Sequence, residues 1–415
     1  MANSNFKNSD MARTVLTIIL TFLLITLTAQ DVAQWRGPDR NGIYNEAGLM
    51  RAWPVGGPKM LWHFDGLGEG HTSAAVTSTG IYITGMIDGK GNIFALDHNG
   101  SLKWKKEYGP EWTESHFGVR STPLVINDKL YLMSAFGNLF CMKTSNGDII
   151  WTIDTFKDYG GRNISWGVTE NLLYDGDVLY CAPGGRDASV IAVNRNTGKL
   201  IWKSKGNSEK SAYCSPLLIS LPKRKLLVTM METSIHGFDA ATGTMLWSFR
   251  HSTDPNVSPN VPVYINGYLY CTSGYGLGGV MLKLAPDGSS VTEVWKNAFL
   301  DPKIGGVVAL NGRIYGGGDR NRKIFCLDWN TGKEIYSLNQ LAPCNIIANE
   351  GLLYIYSERG TVSLVEPKTD SFNIISTFPV PLGAGTHWAH LVIKNKKLYV
   401  RHGASLMVYD IAAGK

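Results

Sequence analysis

Short apolar strands that carry an aromatic residue recur along the whole chain, as IYIT, LYLM, LYCA, LLVT, LYCT, IYGG, LYIY and LYVR. The second residues of these strands are Tyr82, Tyr131, Tyr180, Leu227, Tyr270, Tyr315, Tyr354 and Tyr399, at spacings of 49, 49, 47, 43, 45, 39 and 45. Around each strand, apolar residues alternate with polar ones between turns rich in Asn, Asp and Gly, which is typical of half-buried strands. Eight copies at this period predict an all-β fold, an eight-bladed β-propeller with four-stranded blades.

Most copies end in a polar turn followed by a strand that closes on tryptophan, as in ALDHNGSLKW (95–104) and AVNRNTGKLIW (192–202). The glycine suits a turn position that needs positive φ, and the Asp or Asn can cap the bend. The tryptophan offers a large apolar face that can be buried against the next blade. The residues predicted to join neighbouring blades in this way are Trp62, Trp104, Trp151, Trp202, Trp247, Trp295 and Tyr336.

The last copy lacks its closing strand. From the strand residue to the closing aromatic the copies span 20–25 residues, so the eighth closing residue would fall beyond Lys415. The segment KMLWHF (59–64) carries Trp62 but has no strands of its own before it. We therefore predict that residues 59–64 pair with the strand around Leu406–Asp410 and close the ring, leaving no open edge blade.

The N-terminus has the organisation of a secretory signal. Lys7 and Arg13 precede the 13-residue apolar run Val15–Leu27, and Ala29-Gln30 offers a small-residue cleavage point. The run is short for a bilayer span, which favours a removed signal peptide over an anchor. The predicted organisation is a signal peptide at 1–30, a lead segment at 31–58 and the propeller at 59–415. Such a protein is periplasmic or secreted and has no transmembrane segment after cleavage.

The net charge bears on which partners the chain can bind, and the cysteines bear on whether it contains disulfides. Loss of Lys7, Arg13 and Asp10 with residues 1–30 lowers the formal net charge from +6 to +5, and there is no basic block. A nucleic-acid partner is therefore not expected, and we expect a monomer. Cys141 and Cys326 fall where another copy has Ala95, Cys181 and Cys271 follow an aromatic residue at a strand end, and no Cys-x-x-Cys or adjacent pair occurs among the six cysteines. They are predicted to be buried, unpaired thiols.

The loops that lead into the innermost strands of a propeller share one face around the axis. We place these inner-strand loops at 66–72, 113–120, 160–168, 207–213, 252–259, 301–304, 341–344 and 384–389. The candidate ligand-binding residues at this axial mouth are His71, His116, Arg120, Trp166, Tyr213, Lys303, Asn345, His387, Trp388 and His390, with Arg162 and Lys210 nearby in sequence. Aromatic and cationic groups together suit a flat or anionic ligand, such as a quinone carboxylate or a sugar. The alternative is that many of them are solvated loop residues.

Metal binding is not predicted at the densest cluster of these residues, His387-Trp388-Ala389-His390. The two histidines are three residues apart, so in a strand their side chains would point to opposite faces. No metal ligand and no catalytic residue is assigned from the sequence.

The turn-to-tryptophan segment resembles the docking motif of the pyrroloquinoline-quinone (PQQ) repeat propellers, in the quinoprotein dehydrogenase-like superfamily. The resemblance covers Trp62 to Tyr409. It implies blade docking by these aromatic residues. In catalytic members it also implies PQQ with calcium, a catalytic aspartate and usually an adjacent-cysteine disulfide. The chain has no adjacent cysteines, and its acids cannot be matched to the calcium or catalytic positions.

Two functions follow from the resemblance. Non-catalytic members include the propeller lipoprotein of the outer-membrane β-barrel assembly machinery, although the chain lacks a lipid-attachment cysteine. The favoured reading is a binding or scaffolding propeller of the bacterial envelope, whose partner is an envelope protein or a small polar or aromatic ligand such as a sugar. The alternative is a PQQ-dependent dehydrogenase or a carbohydrate-active, quinoprotein-like enzyme.

Overall fold

The computed structural model describes residues 30–304 and 306–414. The chain divides into two units, residues 1–31 and residues 32–415, and every strand described below lies in the second. The predicted signal peptide lies outside the described residues, apart from Gln30. Among the described residues, no helix has the length and apolar character needed to cross a membrane.

The lead segment and the residues after it contribute three strands. These are β1 (Val32–Ala33), β2 (Ile43–Tyr44) and β3 (Met60–Phe64).

The next sixteen strands form four blades, each a four-stranded antiparallel meander to which β1 adds a fifth strand in blade 2. Blade 1 contains β4 (Ala75–Val76), β5 (Ile81–Ile87), β6 (Lys90–Leu96) and β7 (Leu102–Pro110), and blade 2 contains β8 (Leu124–Ile126), β9 (Lys129–Met133), β10 (Asn138–Lys143) and β11 (Ile149–Asp154). Blade 3 contains β12 (Leu173–Asp175), β13 (Val178–Cys181), β14 (Val190–Asn194) and β15 (Leu200–Ser204), and blade 4 contains β16 (Leu217–Ser220), β17 (Lys225–Met230), β18 (Ser234–Asp239) and β19 (Met245–Arg250). A short helix, α1 (Thr155–Tyr159), capped by Asp154, connects blades 2 and 3.

The remaining strands form blades 5 to 8. Blade 5 contains β20 (Val263–Ile265), β21 (Tyr268–Ser273), β22 (Gly278–Leu284) and β23 (Val291–Asn297), and blade 6 contains β24 (Val308–Leu310), β25 (Arg313–Gly317), β26 (Ile324–Asp328) and β27 (Glu334–Leu338). Blade 7 contains β28 (Cys344–Asn349), β29 (Leu352–Ser357), β30 (Thr361–Pro367) and β31 (Phe372–Pro379), and blade 8 contains β32 (Val392–Lys394), β33 (Lys397–His402), β34 (Ser405–Asp410) and β3. The structure is an eight-bladed β-propeller, which confirms the predicted fold class.

The ring closes through the N-terminal strand, as predicted. Strand β3 is the outer strand of blade 8 and pairs antiparallel with β34, with Trp62 opposite Val408 and Phe64 opposite Leu406. The last blade is therefore built from both ends of the chain, and no blade of the described ring lacks its fourth strand.

Each predicted docking aromatic contacts the blade that follows it. The indole nitrogens of the six tryptophans donate to backbone oxygens of His98, Thr144, Arg195, Ala240, Gly288 and Trp329, at 3.0–3.2 Å. The Tyr336 hydroxyl donates to the Lys368 oxygen at 2.8 Å. A Cβ on the turn residue Gly100 would collide with the Trp62 ring, and its φ of +88° is a left-handed conformation that favours glycine.

Blade 7 has no docking aromatic of its own. In six blades the docking residue pairs with the third strand just before a register shift, as with Ala192 and Trp202. In blade 7 that position is Ser376, opposite Leu364. Trp53 of the lead segment occupies the place of the missing ring. Its backbone N–H donates to Ser376 Oγ at 2.9 Å, and its indole lies 5.8 Å from the Tyr354 ring.

The lead segment fills the hub of the ring. Strand β1 runs antiparallel to β8, the innermost strand of blade 2, and β2 runs parallel to β28, the innermost strand of blade 7. Between them, buried Arg36 donates to the Val307 oxygen at 2.7 Å, and Arg40 donates to the oxygens of Asn171 and Leu172 at 2.8 Å. Carbonyl groups that face the axis are thus satisfied by arginine side chains, as buried polar groups require.

All six cysteines are buried and unpaired, as expected. Their side chains pack in the apolar layers between the blades, where Cys141 lies opposite Trp151 and Cys326 opposite Tyr336.

Candidate functional site

The inner-strand loops converge on one cup at an end of the axis, with a volume of about 200 Å³. The cup is lined by Trp35, His71, His116, Arg120, Trp166, Thr169, Asn171, Tyr213, Val257, Pro259, Tyr275, Lys303, Ile304, Trp388 and His390. Eight of the ten candidate residues from the sequence are in this set.

Asn345 and His387 lie outside the lining. The Asn345 amide is buried and donates to the oxygens of Trp388 and Ala389, so it fixes the loop that carries Trp388. His387 stacks on His402 with ring centroids 3.7 Å apart. Arg162 and Lys210 are not among the lining residues either.

One side of the cup is a continuous aromatic wall. The Trp388 ring lies 5.1 Å from both His71 and His116, and His116 meets the edge of Trp166 at 5.7 Å. Trp166 in turn lies 5.9 Å from Tyr213, whose hydroxyl accepts the Trp166 N–H at 2.9 Å. The wall is therefore held by ring contacts and backbone hydrogen bonds, and it presents apolar ring surface to a ligand.

Three residues of the lining have an unusual backbone conformation. His116, Tyr213 and Tyr275 have φ values of +49°, +71° and +60°. Positive φ is uncommon for residues other than glycine, and such conformations cluster at functional sites.

The floor of the cup belongs to the lead segment. The Trp35 ring meets His390 edge-on at 4.9 Å, and Arg36 below it lies 3.4 Å from His390 Nδ1. Because arginine only donates, Nδ1 accepts, and Nε2 carries the proton that it donates to the Ile304 oxygen. Burial, together with Arg36, lowers the pKa of His390 well below its usual value, so the ring is neutral.

His71 is a partly buried wall residue whose Nδ1 atom is buried. Its Nδ1 has no hydrogen-bond partner, and burial, together with Arg401 and Arg120, lowers its pKa to about 3. The imidazole is thus neutral at physiological pH. Behind it, Arg401 is fully buried and leaves Nη2 without a partner. Unmet hydrogen-bonding groups of this kind are rare in protein interiors.

The lining carries positive and no negative charge. Arg120 donates to the Trp166 backbone oxygen, and burial lowers its pKa only to about 10, so it stays protonated. Lys303 is paired with Asp319 at 2.9 Å. No aspartate or glutamate is among the described lining residues, and Arg120 has no ion pair within the described part of the chain. The charge of Glu111 acts on Arg120, and burial raises the pKa of Glu111 to about 7.

Residues missed by the sequence are of two kinds. Thr169, Asn171, Val257, Pro259 and Ile304 lie in or close to the predicted loops, Tyr275 lies in the turn between β21 and β22, and their types gave no chemical signal. Trp35 reaches the cup from the lead segment, through contacts with residues more than 300 positions away, and no local pattern encodes such contacts.

The cup does not match the quinone centre implied for catalytic relatives. A calcium-bound quinone needs carboxylate oxygens, and the described lining offers none. All six cysteines are buried among core residues, and none lines the cup. Among the described residues there is also no group of three or more His, Cys, Asp or Glu arranged to hold a metal ion.

Eight four-stranded blades around a filled hub, with one cup on the axis, define a β-propeller. A family model described as outer membrane protein assembly factor BamB matches residues 89–258. This match, the curated relatives and the eight-bladed ring support a PQQ-repeat β-propeller of the quinoprotein-like superfamily.

Curated relatives are of two types. The chain is 27% identical over 209 residues to the outer membrane protein assembly factor BamB of Kangiella koreensis, covering 49% of each chain. It is 23% identical over 259 residues to the quinoprotein alcohol dehydrogenase PedH of Pseudomonas putida, covering 57% of this chain and 40% of that protein. The chain thus spans about half the length of the curated relatives it matches.

Solved structures share the fold. BamB from Moraxella catarrhalis superposes with a TM-score of 0.60 at 14% identity, over 85% of this chain and 99% of that one. The quinohemoprotein alcohol dehydrogenase of Comamonas testosteroni gives a TM-score of 0.68 at 11% identity, over 91% and 79%. At these identities the likeness concerns the fold alone.

Proposed function

We propose that this protein is a non-catalytic binding propeller of the bacterial cell envelope, exported through its N-terminal signal and acting as a monomer. The observation that carries the proposal is the cup. Its wall is aromatic, the charged side chains of its described lining are Arg120 and Lys303, and Trp35 of the lead segment lines it against His390. Such a surface binds through ring faces and hydrogen-bond donors, and needs no reacting group. Its partner is a small polar or aromatic ligand, or an envelope protein that inserts such a group.

The BamB relatives support the envelope location and a protein partner, since their name describes an outer-membrane assembly factor. A test is to recover the protein from envelope fractions and compare the wild type with a Trp166→Ala/Trp388→Ala double variant in pull-downs. We expect a partner that the wild type retains and the double variant loses. Intact-mass analysis of the same fraction should give a chain that begins near Gln30 or Asp31. A cytoplasmic protein retaining residues 1–30 would contradict export.

The second candidate is a quinoprotein-type oxidoreductase, which the dehydrogenase relatives favour. Its test is dye-linked oxidation of alcohols and sugars by the purified protein after addition of calcium and PQQ. We expect no turnover, because the described lining lacks the carboxylates that would hold calcium. PQQ-dependent turnover would reject the non-catalytic function.

A further inference from the structure

The charges around the cup are not balanced. Arg40, Arg120 and Arg401 make no ion pair within the described residues, and Arg40 and Arg401 are almost completely buried. Their pKa values stay at about 9 or 10, so all three are charged at neutral pH. The buried acids nearby, Glu111 and Glu170, have pKa values raised by burial to about 7 and 8. An uncompensated positive field in a low-dielectric hub attracts an anion.

Arg120 is the point where this field reaches the cup. It is only partly buried, it lines the cup, and its single hydrogen bond in the described structure goes to the Trp166 oxygen. The other cation of the lining, Lys303, is neutralised by Asp319. A carboxylate in the cup would therefore find its charge-assisted hydrogen bonds at Arg120.

The remainder of the wall suits a hydroxylated ring. The C–H faces of a sugar pack against aromatic faces, and its hydroxyls need neutral groups that donate or accept. The Trp388–His116–Trp166 series supplies the faces. His71 lines the same wall, and its neutral imidazole places an uncharged polar ring beside these faces. Sites for neutral sugars also need acceptors on the protein, and no carboxylate is among the described lining residues.

We propose that the cup binds the acidic sugar unit of a glycan, a uronic acid, with its ring on the Trp166–Trp388 wall and its carboxylate on Arg120. This rests on the proposed function, because it names the ligand class of the same cup. A volume of about 200 Å³ suits a single ring, and the open end leaves room for the glycan to continue into solvent.

The test is titration of the purified protein with D-glucuronate, D-glucose and benzoate, followed by tryptophan fluorescence and by calorimetry. Glucuronate should bind, and glucose and benzoate should each bind at least about tenfold more weakly, since each lacks one half of the ligand. Added salt should weaken glucuronate binding. Equal affinity for glucose would show that the carboxylate does not contribute to binding. Tighter binding of benzoate would show that the cup does not select a sugar ring.

Variants locate the carboxylate. Arg120→Gln should weaken glucuronate binding by about tenfold or more, the usual effect of losing a charge-assisted hydrogen bond. Arg120→Lys should restore part of the loss. Arg250→Gln, at an exposed arginine on β19, is the matched control. Near-UV circular dichroism checks that each variant is folded, and a folded Arg120→Gln protein with unchanged glucuronate affinity would overturn the proposal.

The outcome is separable from that of the proposed function. Failure of glucuronate to bind rejects the acidic sugar. If the pull-down still recovers a partner that depends on Trp166 and Trp388, the binding propeller remains. If neither result is obtained, both proposals fail.

Discussion

At the scale of single residues, the hub is a place where burial overrides ordinary ionisation. Glu170 is completely buried, and its Oε2 accepts the Ala182 N–H at 2.7 Å while Oε1 has no partner. Burial raises its pKa from 4.5 to about 8, against the opposing effects of that hydrogen bond and of Arg40. The carboxyl is therefore mostly protonated at neutral pH, and the neutral state is the one that the interior tolerates.

The raised pKa of Glu170 makes the free energy of unfolding depend on pH. A variant that lacks the titrating carboxyl reveals the direction of that dependence. Because the pKa of Glu170 is higher in the folded than in the unfolded chain, its protonation stabilises the fold below pH 4.5. That contribution is lost as the pH rises through about 8. Glu170→Gln stays neutral throughout, so it should gain stability relative to the wild type between pH 5 and pH 9. Urea unfolding of the wild type and of Glu170→Gln at both pH values measures the difference between their free energies of unfolding.

The control for this prediction is Glu334→Gln, at an exposed glutamate of β27. Its stability difference from the wild type should be the same at both pH values. A Glu170→Gln variant that behaves in the same way would show that this carboxyl is ionised in the folded protein.

At the scale of elements, seven docking residues were predictable and the eighth was not. The turn-to-aromatic repeat marks the seven because the turn and the aromatic lie within one local segment. Blade 7 breaks the pattern with Ser376, and the ring that replaces the aromatic belongs to Trp53, 323 residues earlier in the chain. Periodicity cannot report a substitute supplied from so far away.

The candidate site likewise combines locally encoded loops with side chains whose directions depend on distant contacts. Its loops were predictable because they precede repeated strands, and eight of ten candidate side chains reach the cup. Asn345 lies at a loop end as expected, but backbone oxygens of the adjacent loop capture its amide. The direction of a loop side chain depends on such tertiary hydrogen bonds, which a single sequence does not display.

Trp53 should behave as a docking residue in unfolding experiments. It is buried against Tyr354 and Phe378, so Trp53→Ala should lower the free energy of unfolding by about 3–5 kcal/mol, like Trp202→Ala. Val55→Ala, two positions away at a fully exposed side chain, should change it by less than about 0.5 kcal/mol. Urea or guanidinium denaturation of the three variants measures their free energies of unfolding. A Trp53→Ala protein as stable as the Val55→Ala control would show that Trp53 is not a docking residue.

At the scale of the whole molecule, the blades are joined by packing and hydrogen bonds, and no disulfide links them. The six thiols are buried, and burial raises their pKa values, to about 12 for Cys214 and Cys344. Inaccessible, protonated thiols are unreactive. In the native protein a thiol reagent at pH 8 should therefore modify none of them, and in guanidinium it should modify all six.

Intact mass before and after reduction gives an independent reading of the same prediction. The mass should not change, since there is no bridge to open. Fewer than six modified cysteines in the unfolded, unreduced chain would show a disulfide that the structure does not contain.

The route of the lead segment through the hub bears on the order in which the molecule can assemble. The innermost strands start at the cup, so β1, antiparallel to β8, runs toward the cup, and β2, parallel to β28, runs away from it. The lead segment thus enters and leaves the hub through the same end, opposite the cup. The chain is therefore not threaded through its own ring. Blades 1 to 7 can form while the chain is being synthesised. The lead segment can enter the hub once the blades around it have formed. The pairing of β3 with β34 must wait for residues 405–410, and the contacts of Leu49 with Ala412 and of Met50 with Ile411 must wait for the residues that follow.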